Sequence, residues 1–122
     1  MTYDFPPHII NNKDFLQKIS KTRSEHRKNK YLEEATFDQI LALVEIIRNI
    51  LKGNISLHKN IYLKHLSQFA DYYRAVSNSR SEQAARRKLQ SGGAIPIAAI
   101  IAPVIGAIAQ HILDKTLNLT EQ

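Results

Sequence analysis

The stretch Thr36-Phe37-Asp38-Gln39-Ile40-Leu41-Ala42-Leu43-Val44-Glu45-Ile46-Ile47-Arg48-Asn49-Ile50-Leu51-Lys52-Gly53 decides the fold. Thr36 and Gln39 stand at capping-box spacing, where a hydroxyl accepts from the backbone N–H three residues on and the amide side chain reaches back. Asp38 falls in the first turn, next to the positive end of the helix dipole. Gly53 follows as a C′ residue, the position that favours a left-handed backbone. Between these signals Ile40, Leu43, Val44, Ile47, Ile50 and Leu51 recur at i, i+3, i+4, i+7 spacing. Leu41 and Ile46 widen the stripe, so this helix is expected to be buried on two sides and to form the core.

Working outward, Asn54-Ile55-Ser56 makes a short connection, and Ser56 can cap a further helix running to about Val76. Along it Tyr62, Leu66, Phe69 and Tyr73 share a face, with Leu63 and Ala70 alongside and Lys59, Lys64, Gln68 and Asp71 opposite. A short connection favours antiparallel neighbours, so the two helices should form an αα-hairpin. Ser77-Asn78-Ser79 breaks the pattern, and a basic helix from about Ser81 to Gln90 follows, ended by Gly92-Gly93. On the N-terminal side, Met1 to Asn12 reads as an extended arm containing Pro6-Pro7. Asn12 is a plausible N-cap for a helix through about Leu32 that carries Phe15, Leu16, Ile19, Tyr31 and Leu32. Its polar middle, Lys21 to Lys30, is expected in solvent. The fold class is all-α: a small helical bundle built on an αα-hairpin. Three parts are expected: an arm at residues 1–12, a helical domain at 13–90, and a Gly-Gly-led apolar segment and tail at 91–122.

At 122 residues the chain fits one domain plus tails, and 43% apolar residues suffice for a small core. The absence of cysteine excludes disulfides and thiolate metal sites. Met1 to Ile10, with Asp4 and the proline pair, does not read as a secretory signal. The net charge of +6 is unevenly placed. Residues 1–32 carry seven Lys/Arg against three acids, and residues 53–90 carry seven against Asp71 and Glu82. Residues 33–52 between them are net acidic, with Glu33, Glu34, Asp38 and Glu45 against Arg48 and Lys52. Basic flanks around such a centre fit a polyanion partner, although a basic surface serves solubility equally well.

Catalytic signatures are missing. His8, His26, His58, His65 and His111 form no H-x-x-x-H pair, and His58 and His65, seven apart, fit a solvated or half-buried pair better than a metal site. Gly92-Gly93 lacks the strand and lysine of a phosphate-binding loop. The chain is therefore expected to be no enzyme, with no metal and no cofactor. Two basic clusters remain. Lys21, Arg23, Arg27, Lys28 and Lys30 fit a solvated helix face. Arg86, Arg87 and Lys88, helped by Arg74 and Arg80, are the preferred phosphate-contacting set, because they abut an apolar tract from Ala94 to Leu113. With no base-reading motif, binding to nucleic acid should be nonspecific and salt-sensitive. Tyr62, Tyr72 and Tyr73 fit core or helix surface better than a stacking platform.

The apolar tract barely reaches the ~20 residues that span a bilayer, and Pro96, Pro103, Gly106, Gln110 and His111 interrupt it. It fits a last bundle helix with Pro96 in its first turn and a kink at Pro103, a membrane-contacting segment, or a disordered tail. From Val104 to Leu113, Ile105, Ile108 and Ile112 are spaced for packing.

The junction from Arg86 through Ile97, continuing to Ile108, resembles the basic, Gly-Gly-x-x-Pro, apolar pattern of adenovirus core protein X (mu), with fewer arginines. Ala35-Thr36-Phe37-Asp38-Gln39-Ile40, the run Ile47 to Ile55 and the basic segment before Gly92 resemble a small core protein of adintoviruses and Maverick/Polinton elements. The resemblance covers roughly residues 32–108. It implies a minor structural virion protein of a double-stranded DNA virus or virus-like element. Such a protein would be found in the virion and, during assembly, in the host nucleus. Its implied partners are packaged duplex DNA, the major capsid protein and a membrane, with homo-oligomers as a further expectation. Arg86, Arg87 and Lys88 would contact phosphates, and Gly92, Gly93 and Pro96 would open the apolar segment. In the rival readings, a membrane-active entry factor or a capsid cement or scaffold protein, the contact residues are Gly92, Gly93, Ile95, Pro96, Ile97, Ile100, Ile101, Pro103, Val104, Ile105 and Ile108.

Overall fold

A computed structural model describes residues 6–54, 68–92, 97–98 and 100–110, and all regular structure among them is helical. Helix α1 spans Pro7–Asn11, α2 Lys13–Lys21, α3 Glu25–Glu34, α4 Phe37–Leu51, α5 Ala70–Ser77 and α6 Glu82–Ser91. A seventh, α7, is helical at residues 97–98 and 100–110.

Helix α4 follows its sequence signals closely. The Thr36 N–H donates to Gln39 Oε1 at 2.9 Å and the Gln39 N–H to Thr36 Oγ1 at 3.2 Å, closing the capping box. At the other end Gly53 adopts φ 81°. There the Asn54 N–H reaches Asn49 O at 2.9 Å and the Gly53 N–H reaches Ile50 O at 3.1 Å, the paired bonds of a Schellman turn. Ile40, Leu43, Val44, Ile46, Ile47 and Ile50 are all buried, so the helix is enclosed on more than one side as expected. The one buried polar residue of α4, Asn49, donates to Glu45 O and accepts from Asn54 Nδ2. Around this axis α1, α2, α5 and α6 pack directly on α4, while α3 lies against α6.

The N-terminal region departs from expectation. Residues 7–11 are helical rather than extended: Pro7 occupies the first turn, where its missing N–H costs no bond, and Ile9 is buried in the core. The Asn12 side chain turns back to donate to His8 O at 2.6 Å, so it does not cap α2. The single helix expected from Asn12 to Leu32 is two helices, broken where Thr22 takes an extended backbone. Ser24 then caps α3 by accepting from the Arg27 N–H. Lys18 Nζ sits 4.7 Å from the centre of the Tyr31 ring, linking α2 to α3 across that break.

Helices α4 and α5 pack against one another, and the short connection expected between them lies, beyond Asn54, outside the described residues. The described part of the expected second helix begins at Ala70, after a turn at Gln68 and Phe69, and buries Tyr73 and Val76. Ser56, Lys59, Tyr62, Leu63, Lys64 and Leu66, expected earlier in that helix, lie outside the described residues. Ser81 caps α6 through the Ala84 N–H at 3.1 Å, as its position suggested.

Helix α7 continues through Pro103 and is a core element. Ile97, Ala98, Ile100, Ile101, Val104 and Ile108 are each at most 5% exposed, and all but Ala98 belong to the same apolar cluster as Ile9, Leu16, Leu32, Leu43 and Leu89. Among the described residues no helix is long and apolar enough to cross a membrane. Truncating a buried isoleucine removes its transfer energy and leaves a cavity. Ile100→Ala is therefore expected to lower the unfolding free energy by about 2–5 kcal/mol in urea denaturation. A change under ~0.5 kcal/mol would mean that α7 is not part of the core.

Candidate nucleic-acid interface

The last four carbonyls of any helix lack partners within it, and cations from neighbouring helices supply them here. Lys28 of α3, with an almost fully buried side chain, directs Nζ at Leu89 O (3.2 Å) and Gln90 O (2.9 Å) at the end of α6. Glu25 Oε1, 3.1 Å away, balances its charge. Arg86 of α6 answers in the opposite direction, donating to Leu32 O and Glu33 O at the end of α3 and pairing with Glu82. Gln90 completes the seam, its Nε2 donating to Asn29 O and Glu33 Oε2. The end of α5 is treated alike: Arg48 donates to Ser77 O at 2.8 Å and Ser79 O at 3.4 Å, and Lys88 to Ala75 O at 3.1 Å.

This network divides the predicted phosphate-contacting residues. Arg86 and Lys88 are half-buried and bonded to backbone carbonyls, so within the fold they act as structural cations. Arg74, Arg80 and Arg87 are exposed. Arg74 makes a 3.6 Å ion pair with Asp71 in open solvent, a pairing worth little to stability.

The cluster that read as a mere solvated face is the richer one. Lys13, Lys21, Arg23, Arg27 and Lys30 are all exposed, and none of them takes part in an ion pair among the described residues. Arg27 and Lys30, three apart, share one face of α3, while Lys21 and Arg23 stand at the α2–α3 break. Lys28 is the exception to the expected solvation of this stretch. In α3 only Lys28 and Leu32, four residues apart, are buried, so the residue a turn before Leu32 enters the interior whatever its type.

Tyr72 and Tyr73 offer no free stacking platform. Tyr73 is buried, and its ring lies 5.4 Å from that of Tyr72 and 6.5 Å, edge-on, from that of Phe69. The Tyr72 hydroxyl donates to Leu89 O at 3.2 Å. Its ring lies so close over Gly92 that any Cβ there would overlap it. Gly92 keeps a negative φ of −88°, so the glycine serves close approach and not a left-handed turn. Tyr62, Gly93, Ile95 and Pro96 lie outside the described residues, as do His58 and His65. Ile97, Ile100, Ile101, Val104 and Ile108, expected to contact a membrane or capsid, are instead buried, and Pro103 and Ile105 are half-buried. Among the described residues no three His, Cys, Asp or Glu side chains gather as a metal site.

No protein family, curated protein or solved structure matches the chain.

Two predictions follow from the buried polar groups. Lys28→Met keeps the volume but bares Gln90 O, and should lower stability by about 1–3 kcal/mol. Arg27→Met, one residue away and exposed, should stay within ~0.5 kcal/mol, and equal effects would contradict the capping role. The second concerns alkali. Burial raises both Tyr72 and Tyr73 above the usual 10.0. The unfolded chain therefore releases phenolic protons that the folded chain keeps. This contribution is complete below about pH 10 and is lost as pH rises beyond it. Burial lowers Lys28 from 10.5, which works oppositely: stability gains as pH climbs from its folded value to 10.5 and gains nothing further. Above pH 10.5 the melting temperature should fall, and Tyr72→Phe should flatten that fall; an unchanged slope would contradict it.

Proposed function

We propose that the chain is a non-enzymatic structural protein that binds duplex DNA nonspecifically through its phosphates. By the viral resemblance that DNA would be genome packaged inside a capsid. One observation carries the reading: exposed cations concentrate on α2 and α3, and Lys13, Lys21, Arg23, Arg27 and Lys30 form no ion pair among the described residues. Lys21, Arg23, Arg27 and Lys30 are the principal contacts, with Lys13, Arg74 and Arg87 extending the surface. Cations that lack internal partners release condensed counterions on meeting a phosphate backbone, and this drives sequence-independent binding.

The membrane-active and capsid-cement readings both need the apolar side chains of α7 outside the core. Those readings therefore require a triggered release of α7, whereas DNA binding uses the folded surface as it stands.

Fluorescence anisotropy of a labelled duplex at several salt concentrations tests the proposal. Wild-type protein should give a steep linear dependence of log K on log salt. The combined Lys21/Arg23/Arg27/Lys30→Ala variant should flatten it by about 0.9 per phosphate contact removed. Arg87→Ala should flatten it by at most one such step. Weak binding indifferent to salt, or a slope unchanged in the combined variant, overturns the assignment.

A further inference from the structure

Phe37 is 59% exposed, the sole large apolar side chain so exposed among the described residues. It opens α4, where the capping box fixes the backbone, so its exposure is set by helix geometry and not by a loose end. Phe37, Ile40, Leu41, Val44 and Ala85 line an open cleft of about 230 Å³. That volume is below the roughly 300–1,000 Å³ typical of small-molecule sites, and it suits one or two inserted side chains. Arg80, Arg48 and Glu82 line it as well, and Glu82 is held by Arg86. Arg48 is already bonded to Ser77 O and Ser79 O, whereas Arg80 forms no ion pair among the described residues.

The sequence around Phe37 carries the opposite charge. Glu34 and Asp38 flank it, both exposed, and neither forms an ion pair among the described residues. One surface thus presents an acidic pair, a projecting aromatic, an apolar cleft and an unpartnered arginine.

We propose that this face joins two copies of the chain about a twofold axis, with Phe37 of each copy seated in the cleft of the other. In that arrangement Glu34 and Asp38 of one copy meet Arg80 of its partner, and the same contact recurs by symmetry. An isologous interface needs a self-complementary patch, and the acid–aromatic–cleft–arginine sequence supplies both halves of the match. Aromatic and arginine side chains at a desolvated centre are also the groups that dominate association energetics. Because each copy carries a net charge of +6, the opposed local charges have to overcome general repulsion. The dimer is consequently concentration-dependent.

Sedimentation velocity on the full chain across a concentration series at physiological salt is the test. Wild type should pass from monomer to dimer. Phe37→Ala and Arg80→Glu, both at exposed positions, should each weaken association by about tenfold or more. Glu34→Arg with Asp38→Arg should do the same, and adding Arg80→Glu to that pair should restore dimerisation by exchanging the charges. Circular dichroism melts of every variant check that the fold survives. A wild type that stays monomeric throughout, or a dimer indifferent to Phe37→Ala and Arg80→Glu, overturns the proposal. Failure of the charge exchange to rescue, with the fold intact, overturns the arginine–carboxylate match.

Discussion

The packing of α6 against α3 and α5 brings cations across to the unpaired carbonyls at a neighbour's C-terminus. Short helices make the problem acute. With eight to ten residues each, these helices leave a large share of their carbonyls without an internal partner. Burying their ends among neighbours would strand those groups at about 1–3 kcal/mol apiece. Lys28, Arg48, Arg86 and Lys88 resolve this with charged donors, which also oppose the negative end of each dipole. Lys28 and Arg86 act in both directions across one antiparallel seam, each closing the other's helix. The register of α3 against α6 is therefore fixed by polar geometry as well as by Leu32, Ala85 and Leu89.

A basic composition is consequently a poor guide to where a polyanion would sit. The densest run in the sequence, Arg86-Arg87-Lys88, has two of its three charges turned inward to carbonyls, leaving Arg87 in solvent. The α2–α3 corner keeps its charges outward because its apolar face is narrow: Phe15, Leu16 and Ile19 in α2, and little besides Leu32 in α3. A helix with so small a buried face leaves the rest of its circumference to solvent, and there the cations have no carboxylate to meet.

Local signals were legible in the sequence and tertiary ones were not. The capping box at Thr36, the glycine at 53 and the serine at 81 each satisfy backbone groups within a few residues, so each could be read directly and each appears in the structure. The break at Thr22 was obscured because Ser24 caps α3 in the middle of a basic run with no apolar period to mark the restart. Burial of Lys28 had a faint signal, since its spacing from Leu32 puts it on the inward face, but residue type argued the other way. Its partners lie about sixty positions along the chain, and no local pattern encodes them. The helix at Pro7–Asn11 was likewise hidden: it is a single turn and more, and its stability comes from Ile9 entering the core rather than from propensity.

The apolar C-terminal tract turns on the same balance of surface and interior. A chain this short buries a modest fraction of its surface. Helix α7 adds Ile97, Ile100, Ile101, Val104 and Ile108 to the apolar cluster that holds Ile46 and Ile47, with Ala102, Gly106 and Ala107 exposed. Small residues on the outer face leave the described part of α7 with little exposed apolar bulk. Its bulky apolar positions are buried apart from the half-buried Pro103 and Ile105. Among the described residues, the large exposed apolar side chain is Phe37, which stands beside the most acidic part of the chain. Under the proposed dimer, apolar attachment would fall not on the segment whose composition most suggested it but on a helix start flanked by carboxylates.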